Sequence, residues 1–209
     1  MPQPHILKII EIFPSIAGEG LRSGEPTIFV RLAGCNLRCA FCDTKYSWQG
    51  GKSYSVDKII ETVGQIRKRF PADWVCLTGG EPLLQEVKPL VNKLKKECYK
   101  IHIETNGTIY RPIRVDWMTL SPKPGTYEFV SEFTTKANEV KLVVSKELTL
   151  EVIQNLRGKI PAKTPILLQP QSNRKWSMDL GMKLLKQTLS LGLKNIKISV
   201  QIHKIYGLK

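Results

Sequence analysis

Short, nearly continuous apolar runs alternate along this chain with stretches in which apolar residues recur at three- and four-residue intervals, as on one face of a helix. The runs predict strands at Ile6 to Phe13, Thr27 to Leu32, Trp74 to Thr78, Lys100 to Glu104, Trp117 to Ser121, Glu139 to Val144, Pro165 to Gln169 and Asn195 to Val200. The periodic stretches predict helices at Val56 to Arg69, Gln85 to Glu97, Leu150 to Leu156 and Met178 to Leu191, with Ser55 as the N-cap of the first. Strands that are apolar on both faces are covered on both faces, so the alternation implies a parallel sheet layered with helices, an α/β fold. Between Glu104 and Trp117 the chain is too short for a crossover helix, and Pro112 interrupts it, so a complete barrel is not expected. No repeat, low-complexity tract or linker divides the sequence, and residues 1–209 are expected to form a single domain.

In such folds chemistry gathers at the carboxyl ends of the strands. The unusual residues do follow predicted strands: a cysteine-rich loop, Thr78-Gly79-Gly80-Glu81-Pro82, Glu104-Thr105-Asn106-Gly107, Ser121-Pro122-Lys123 and Gln169-Pro170. One rim is expected to hold them all.

The cysteine-rich loop reads Cys35-Asn36-Leu37-Arg38-Cys39-Ala40-Phe41-Cys42, a C-x3-C-x2-C spacing. The chain has 5 cysteines, too few for its length to make a disulfide framework, and their crowding points to metal ligation in a reducing compartment. Zinc requires a fourth ligand nearby, and Asp43 is tethered too tightly behind Cys42 to supply it. Three thiolates on one loop instead suit three irons of a [4Fe-4S] cluster, leaving one iron without a protein ligand. Cys76, in an apolar strand, and Cys98, at a helix end, are read as small buried hydrophobes.

The net charge of +14 favours anionic partners in general, from RNA to acidic reductases, without selecting among them. Lys93, Lys95, Lys96 and Lys100 are scattered and no aromatic platform recurs among them, so direct nucleic-acid binding is not expected. No apolar run approaches a membrane span, and the opening Met1-Pro2-Gln3-Pro4-His5 lacks the pattern of a signal peptide, so the expected location is cytoplasmic, with no membrane contact.

With an aromatic at Phe41 and a strand just before it, the triad resembles that of the radical S-adenosylmethionine (SAM) superfamily. The resemblance implies a partial, incomplete TIM-type barrel with parallel strands and fewer helices than a full one. It implies that Cys35, Cys39 and Cys42 hold the cluster and that the open iron binds SAM, whose reductive cleavage yields a 5′-deoxyadenosyl radical. Phe41, Cys42 and Asp43 would then border SAM, although Phe41 read by itself is an ordinary core residue. Gly79-Gly80-Glu81 resembles the element that grips the SAM amino group, glycine permitting close backbone approach. Ser121, Pro122 and Lys123, with Gln169, Pro170, Gln171 and Ser172, would reach SAM from later strands.

Flanking motifs resemble one family within it, the 7-carboxy-7-deazaguanine synthases. They are Phe13-Pro14-Ser15-Ile16-Ala17-Gly18-Glu19-Gly20, Gly24 to Leu32, Cys42-Asp43-Thr44-Lys45-Tyr46-Ser47-Trp48 and Gln201-Ile202-His203-Lys204-Ile205-Tyr206-Gly207. The resemblance implies contraction of 6-carboxy-5,6,7,8-tetrahydropterin to 7-carboxy-7-deazaguanine with loss of ammonia, for the deazapurines of modified tRNA. It implies that hydrogen is taken from C6 and later returned, so that SAM acts as a cofactor, that the electron comes from flavodoxin or ferredoxin, and that the enzyme is a homodimer.

Ile16, Ala17, Gly18 and Glu19 stand where the family binds substrate. Ala17 departs from the glutamine common there and cannot offer an amide. Arg31 suits the substrate carboxylate or the pterin ring, or is a strand-end surface arginine. Thr44 read by itself caps a turn with Asp43; the resemblance places Mg²⁺, a hard cation content with few protein ligands, between Thr44 and the substrate carboxylate. Glu19 and Glu104 are candidate acceptors for pterin N–H groups, and Thr78 and His203 candidate substrate contacts. The rivals are an activase that makes a glycyl radical on a partner protein, an electron-transfer ferredoxin and a basic RNA-binding module. The first gives no reason for Glu19, Thr44 and His203 together, the second wants four clustered cysteines, and the third rests on charge alone.

Overall fold

The computed structural model describes residues 4–208. Met1, Pro2 and Gln3, which open the segment read above for a signal peptide, and Lys209 lie outside the described residues. The chain forms two compact units: the first comprises the N-terminal segment to Ile16, Glu25–Thr105 and Arg111–Trp117, the second Ala17–Gly24, Asn106–Tyr110 and Met118 onward.

The first unit carries β1 (Ile6–Ile16), β2 (Pro26–Leu32), β3 (Lys52–Ser55), α1 (Val56–Arg69), β4 (Trp74–Gly79), α2 (Lys88–Lys96) and β5 (Lys100–Thr105), its strands lying in the order β3-β1-β2-β4-β5. β2, β4 and β5 run parallel, as the apolar runs predict. β1 does not: it is antiparallel to both β2 and β3. The connection from β1 to β2 is too short for a crossover, which leaves only a hairpin-like return. β1 also continues past Phe13, with Pro14, Ser15 and Ile16 opposite Ile28, Thr27 and Pro26. Pro14 is tolerated because β3 pairs β1 only from Ile6 to Ile9, so at Pro14 no ladder needs its missing N–H on that side. β3 escapes sequence reading because its four residues are polar and largely exposed.

α1 buries Val56, Ile59 and Val63, one face at helical spacing, each contributing about 1.5–3 kcal/mol. Ser55 caps it as expected, its Oγ accepting the Lys58 N–H at 3.2 Å. α2 begins at Lys88 rather than Gln85: Gln85 is extended (φ -97°, ψ 156°), Pro89 sits in the first turn of the helix, and the Gln85 side-chain amide ties the segment to the end of β2 and to β1. Its Nε2 donates to the carbonyls of Lys8 (3.0 Å) and Ala33 (2.9 Å), and its Oε1 accepts from the Lys8 N–H (2.7 Å). Cys76 is buried as expected, but Cys98 is exposed. With φ at 61° it takes the left-handed turn that ends α2, which swings its side chain away from the core.

The second unit carries β6 (Trp117–Leu120, from Met118), β7 (Glu139–Val144), α3 (Leu150–Lys159), β8 (Ile166–Pro170), α4 (Lys175–Ser190), β9 (Ile196–Ile198) and α5 (Ile202–Ile205), with parallel strands in the order β6-β7-β8-β9. α4 starts a turn before Met178, where fully buried Ser177 accepts the Gln171 N–H (2.7 Å) and donates to the Val144 carbonyl (2.6 Å). α5 is a single turn, too short to show periodicity. No α-helix separates β5 from β6, as the short tether and Pro112 dictate. Among the described residues no helix is long and apolar enough to cross a membrane.

Candidate functional site

In the first unit the cysteine loop leaves the carboxyl end of β2 and is pinned at both ends. Gly34 donates to the Ser47 carbonyl (2.8 Å) and Cys35 to that of Trp48 (3.3 Å), while within the loop Cys42 donates to Cys39 (3.0 Å). Gly34 has φ at 93°, a turn that a side chain would strain. Cys35, Cys39 and Cys42 are all half-buried. Burial pushes the Cys35 thiol up, against a backbone hydrogen bond at Leu37 that lowers it, and the charges of Glu81, Cys39 and Cys42 push it up further. Thiolates crowded this way repel one another, and a cationic iron cluster relieves that repulsion. The donor set fits the group.

The turn after β4 is built against this loop. The Gly80 N–H donates to the Leu32 carbonyl (3.0 Å) and the Glu81 N–H to the Gly34 carbonyl (2.8 Å). A Cβ on Gly79 would come within 2.2 Å of the Leu32 oxygen, and one on Gly80 within 1.8 Å of the Gly34 oxygen. The glycines therefore let two backbones touch. The Glu81 side chain is buried and turned inward, one oxygen accepting from Thr105 Oγ1 (2.8 Å) and from the Leu83 N–H (3.0 Å).

Arg31, opposite both Glu11 and Thr78 in register, donates through Nε to Glu11 Oε1 at 2.8 Å. Tyr46 Oη reaches the same oxygen (3.1 Å), and the guanidinium lies 5.4 Å from the Phe13 ring, itself stacked on Phe29. Arg31 is thus a fixed group of the sheet face and not a surface arginine. Thr44 Oγ1 lies 3.5 Å from Cys42 Sγ, and the Thr44 carbonyl accepts from Ser47 Oγ (2.7 Å). Phe41 is half-buried and Asp43 exposed. Glu104, at the end of β5, gathers with buried Cys76 and His102, their ligand atoms all within 4.8 Å of one another.

In the second unit the segment holding Ala17, Gly18 and Glu19 is anchored to β7 and to the chain after β9. Ala17, buried and without a polar side chain, still accepts the Gly24 N–H through its carbonyl (2.8 Å). Gly18 accepts the Ile202 N–H (2.9 Å), and a Cβ there would meet His203 Nδ1 at 1.9 Å, so the imidazole packs on the Gly18 backbone. Glu19 is joined to Lys141 and Gln201. Ser121 donates to the Lys141 carbonyl (2.9 Å) and accepts from Lys123 Nζ (2.6 Å). At the end of β8, Gln169 is buried and neither amide atom has a hydrogen-bond partner among the described residues. Beyond it Ser172 takes φ at 52° and accepts from Lys204 Nζ (2.9 Å).

The description "Radical SAM superfamily" matches residues 29–179, a span that runs through both units. The 7-carboxy-7-deazaguanine synthase of Aquifex aeolicus is 34% identical over 98% of this chain and 95% of its own length. That of Bacteroides thetaiotaomicron is 37% identical over 97% of this chain and 98% of its own. The chain belongs to the 7-carboxy-7-deazaguanine synthase family. Its fold agrees: the crystal structure of QueE from Escherichia coli matches with a TM-score of 0.78 and 29% identity over 95% of both chains. A structure of TYW1 with a lysine-pyruvate adduct bound, at 13% identity and a TM-score of 0.57 over 77% of this chain and 72% of its own, shares the fold alone. The fold class expected from the sequence, α/β of the radical SAM kind with mostly parallel strands and fewer helices than a full barrel, is borne out.

Sequence reasoning did not single out Glu11, His102 or Lys141, which lie beside the candidates Arg31, Glu104 and Glu19, and it met Gln201 only inside the closing motif. Glu11 and Lys141 carried one usable signal: each is a charge interrupting an apolar strand, where burial requires a partner. His102 carried none, since the fold brings Cys76 to it, and Gln201 was marked only by the closing motif it opens.

Proposed function

We propose that this chain converts 6-carboxy-5,6,7,8-tetrahydropterin to 7-carboxy-7-deazaguanine with release of ammonia, in 7-deazapurine biosynthesis, and that it works as one radical SAM domain. The observation that carries this reading is the match along nearly the whole chain to relatives of that one activity. Once bound, a [4Fe-4S] cluster and SAM supply a 5′-deoxyadenosyl radical as the hydrogen-abstracting group.

Cys35, Cys39 and Cys42 would hold the cluster, their loop kept in shape by the Gly34 to Glu81 backbone bond. Phe41, Asp43, Gly79, Gly80 and Glu81 are assigned to SAM in the first unit, and Ser121, Pro122, Lys123, Gln169, Pro170, Gln171 and Ser172 in the second. Gln169 supports the assignment most directly. A buried amide with both atoms unpartnered costs about 1–3 kcal/mol for each, which a ligand that both donates and accepts would recover.

Substrate is assigned to Ile16, Ala17, Gly18, Glu19, Arg31, Thr78, Glu104 and His203. Glu11 holds the Arg31 Nε edge, which orients the rest of the guanidinium to bind a carboxylate. Thr44 would add a hydroxyl to Mg²⁺. An acidic flavodoxin or ferredoxin suits the +14 surface as electron donor, and the working form is a cytoplasmic homodimer.

The test is anaerobic turnover by reconstituted protein with SAM, reductant, Mg²⁺ and the carboxy-tetrahydropterin, followed by ultraviolet spectroscopy. A deazaguanine product is expected. SAM cleavage without that product would overturn the substrate assignment.

A further inference from the structure

Lys141 interrupts the apolar run of β7, and its ammonium is buried, with 5% of the side chain exposed. A buried cation needs a partner. It has one in Glu19, whose Oε2 accepts from Lys141 Nζ at 2.5 Å. The other carboxylate oxygen, Oε1, accepts from Gln201 Nε2, also at 2.5 Å. Both oxygens of Glu19 are thus engaged by the protein.

The orientation of the Gln201 amide follows from chemistry. An ionised carboxylate only accepts, so Gln201 must turn its NH2 toward Glu19 and its Oε1 away. The backbone of Gln201 has no freedom to relax this. Its N–H donates to Asn173 Oδ1 (3.1 Å), and its carbonyl accepts from Asn173 Nδ2 (2.9 Å). The residue is 5% exposed, and its Oε1 has no partner among the described residues. Buried amide oxygens are nearly always satisfied, so this one is an acceptor waiting for a donor.

We propose that Gln201 Oε1 is a substrate-reading acceptor for an N–H of the amino-pyrimidinone edge, and that Lys141 is the positioning residue that fixes it through Glu19. This rests on the pterin reading above and deepens it: beside Glu19, whose carboxylate keeps further lone pairs, the protein places an amide oxygen as a second acceptor. An amide oxygen beside a neutralised ion pair selects a neutral N–H donor. A carbonyl at the same ring position would find no donor there, so the arrangement discriminates between heterocycles that differ in that group alone.

The experiment uses the reconstituted holoenzyme and measures kcat and KM for the carboxy-tetrahydropterin. Gln201→Leu keeps the bulk and removes the acceptor. Its KM is expected to rise by on the order of 10-fold or more, with cluster content and the KM for SAM unchanged. Lys141→Met is expected to raise the same KM, and the double variant to rise less than the product of the two, because both act on one group.

Gln201→Glu separates this role from a merely structural one. Protonated, it donates an O–H to Glu19 and still presents a carbonyl oxygen; ionised, it repels Glu19. Its KM relative to the parent is therefore expected to be near unity at low pH and to climb as pH rises. Pterin turnover by the parent with an unchanged KM in Gln201→Leu, or a pH-independent ratio in Gln201→Glu, overturns this inference alone. No pterin turnover by the parent overturns the substrate reading and this inference with it.

Discussion

The Glu139 carboxylate, 1% exposed on β7, accepts the backbone N–H of Leu21 at 2.8 Å. Its other oxygen accepts from Thr119 Oγ1 at 2.7 Å. Two residues before Lys141 on the same strand face, Glu139 thus anchors the far end of the segment whose near end carries Glu19.

Replacing Glu139 tests that anchor. Glu139→Leu removes the acceptor of the part-buried Leu21 N–H and of Thr119 Oγ1 and should cost about 1–3 kcal/mol in chemical denaturation. Glu139→Gln should cost under about 1 kcal/mol, because the amide oxygen can keep Leu21 while the Thr119 hydroxyl rotates to accept from the NH2. Amide hydrogen exchange at Leu21 should quicken in the leucine variant and not in the glutamine one. Equal losses in the two variants would count against the anchor.

Gly80→Ala bears on the contact between the glycine turn and the cysteine loop. A methyl group placed 1.8 Å from the Gly34 oxygen must push the two backbones apart, and Cys35 moves with Gly34. The reconstituted variant is expected to hold less than half the iron and sulfide of the parent while keeping its far-ultraviolet circular dichroism. A full cluster in Gly80→Ala would show that the loop does not depend on this contact.

Thr44→Ala addresses the proposed Mg²⁺. The hydroxyl sits beside Cys42 Sγ without ligating the cluster in the proposed scheme, so cluster content should be unchanged. Bound Mn²⁺, read by electron paramagnetic resonance in the presence of the pterin, should weaken by roughly tenfold, the scale of losing one oxygen ligand. Unaltered Mn²⁺ binding would remove Thr44 from the metal.

Much of the architecture was legible because it depends on local pattern. Ser55 capped α1, the apolar runs became the parallel strands β2, β4, β5 and β6 to β9, and Pro112 marked a stretch without a helix. β3, α5 and the left-handed Cys98 were missed because they are too short or too polar to carry a period. The antiparallel run of β1 follows from a short connection, which hydrophobicity does not record.

The sequence by itself determined that three thiols share one loop, since three cysteines within eight positions are confined to it whatever the fold around them. It also determined the family, through motifs contiguous along the chain. Only the tertiary structure decided how the carboxylates and amides are used. Glu19 meets Gln201 across 182 positions and Lys141 across 122, separations over which no sequence spacing constrains geometry. Because hydrogen bonding is directional and a carboxylate can only accept, that meeting, which only the folded chain brings about, sets which atom of Gln201 is left to bind.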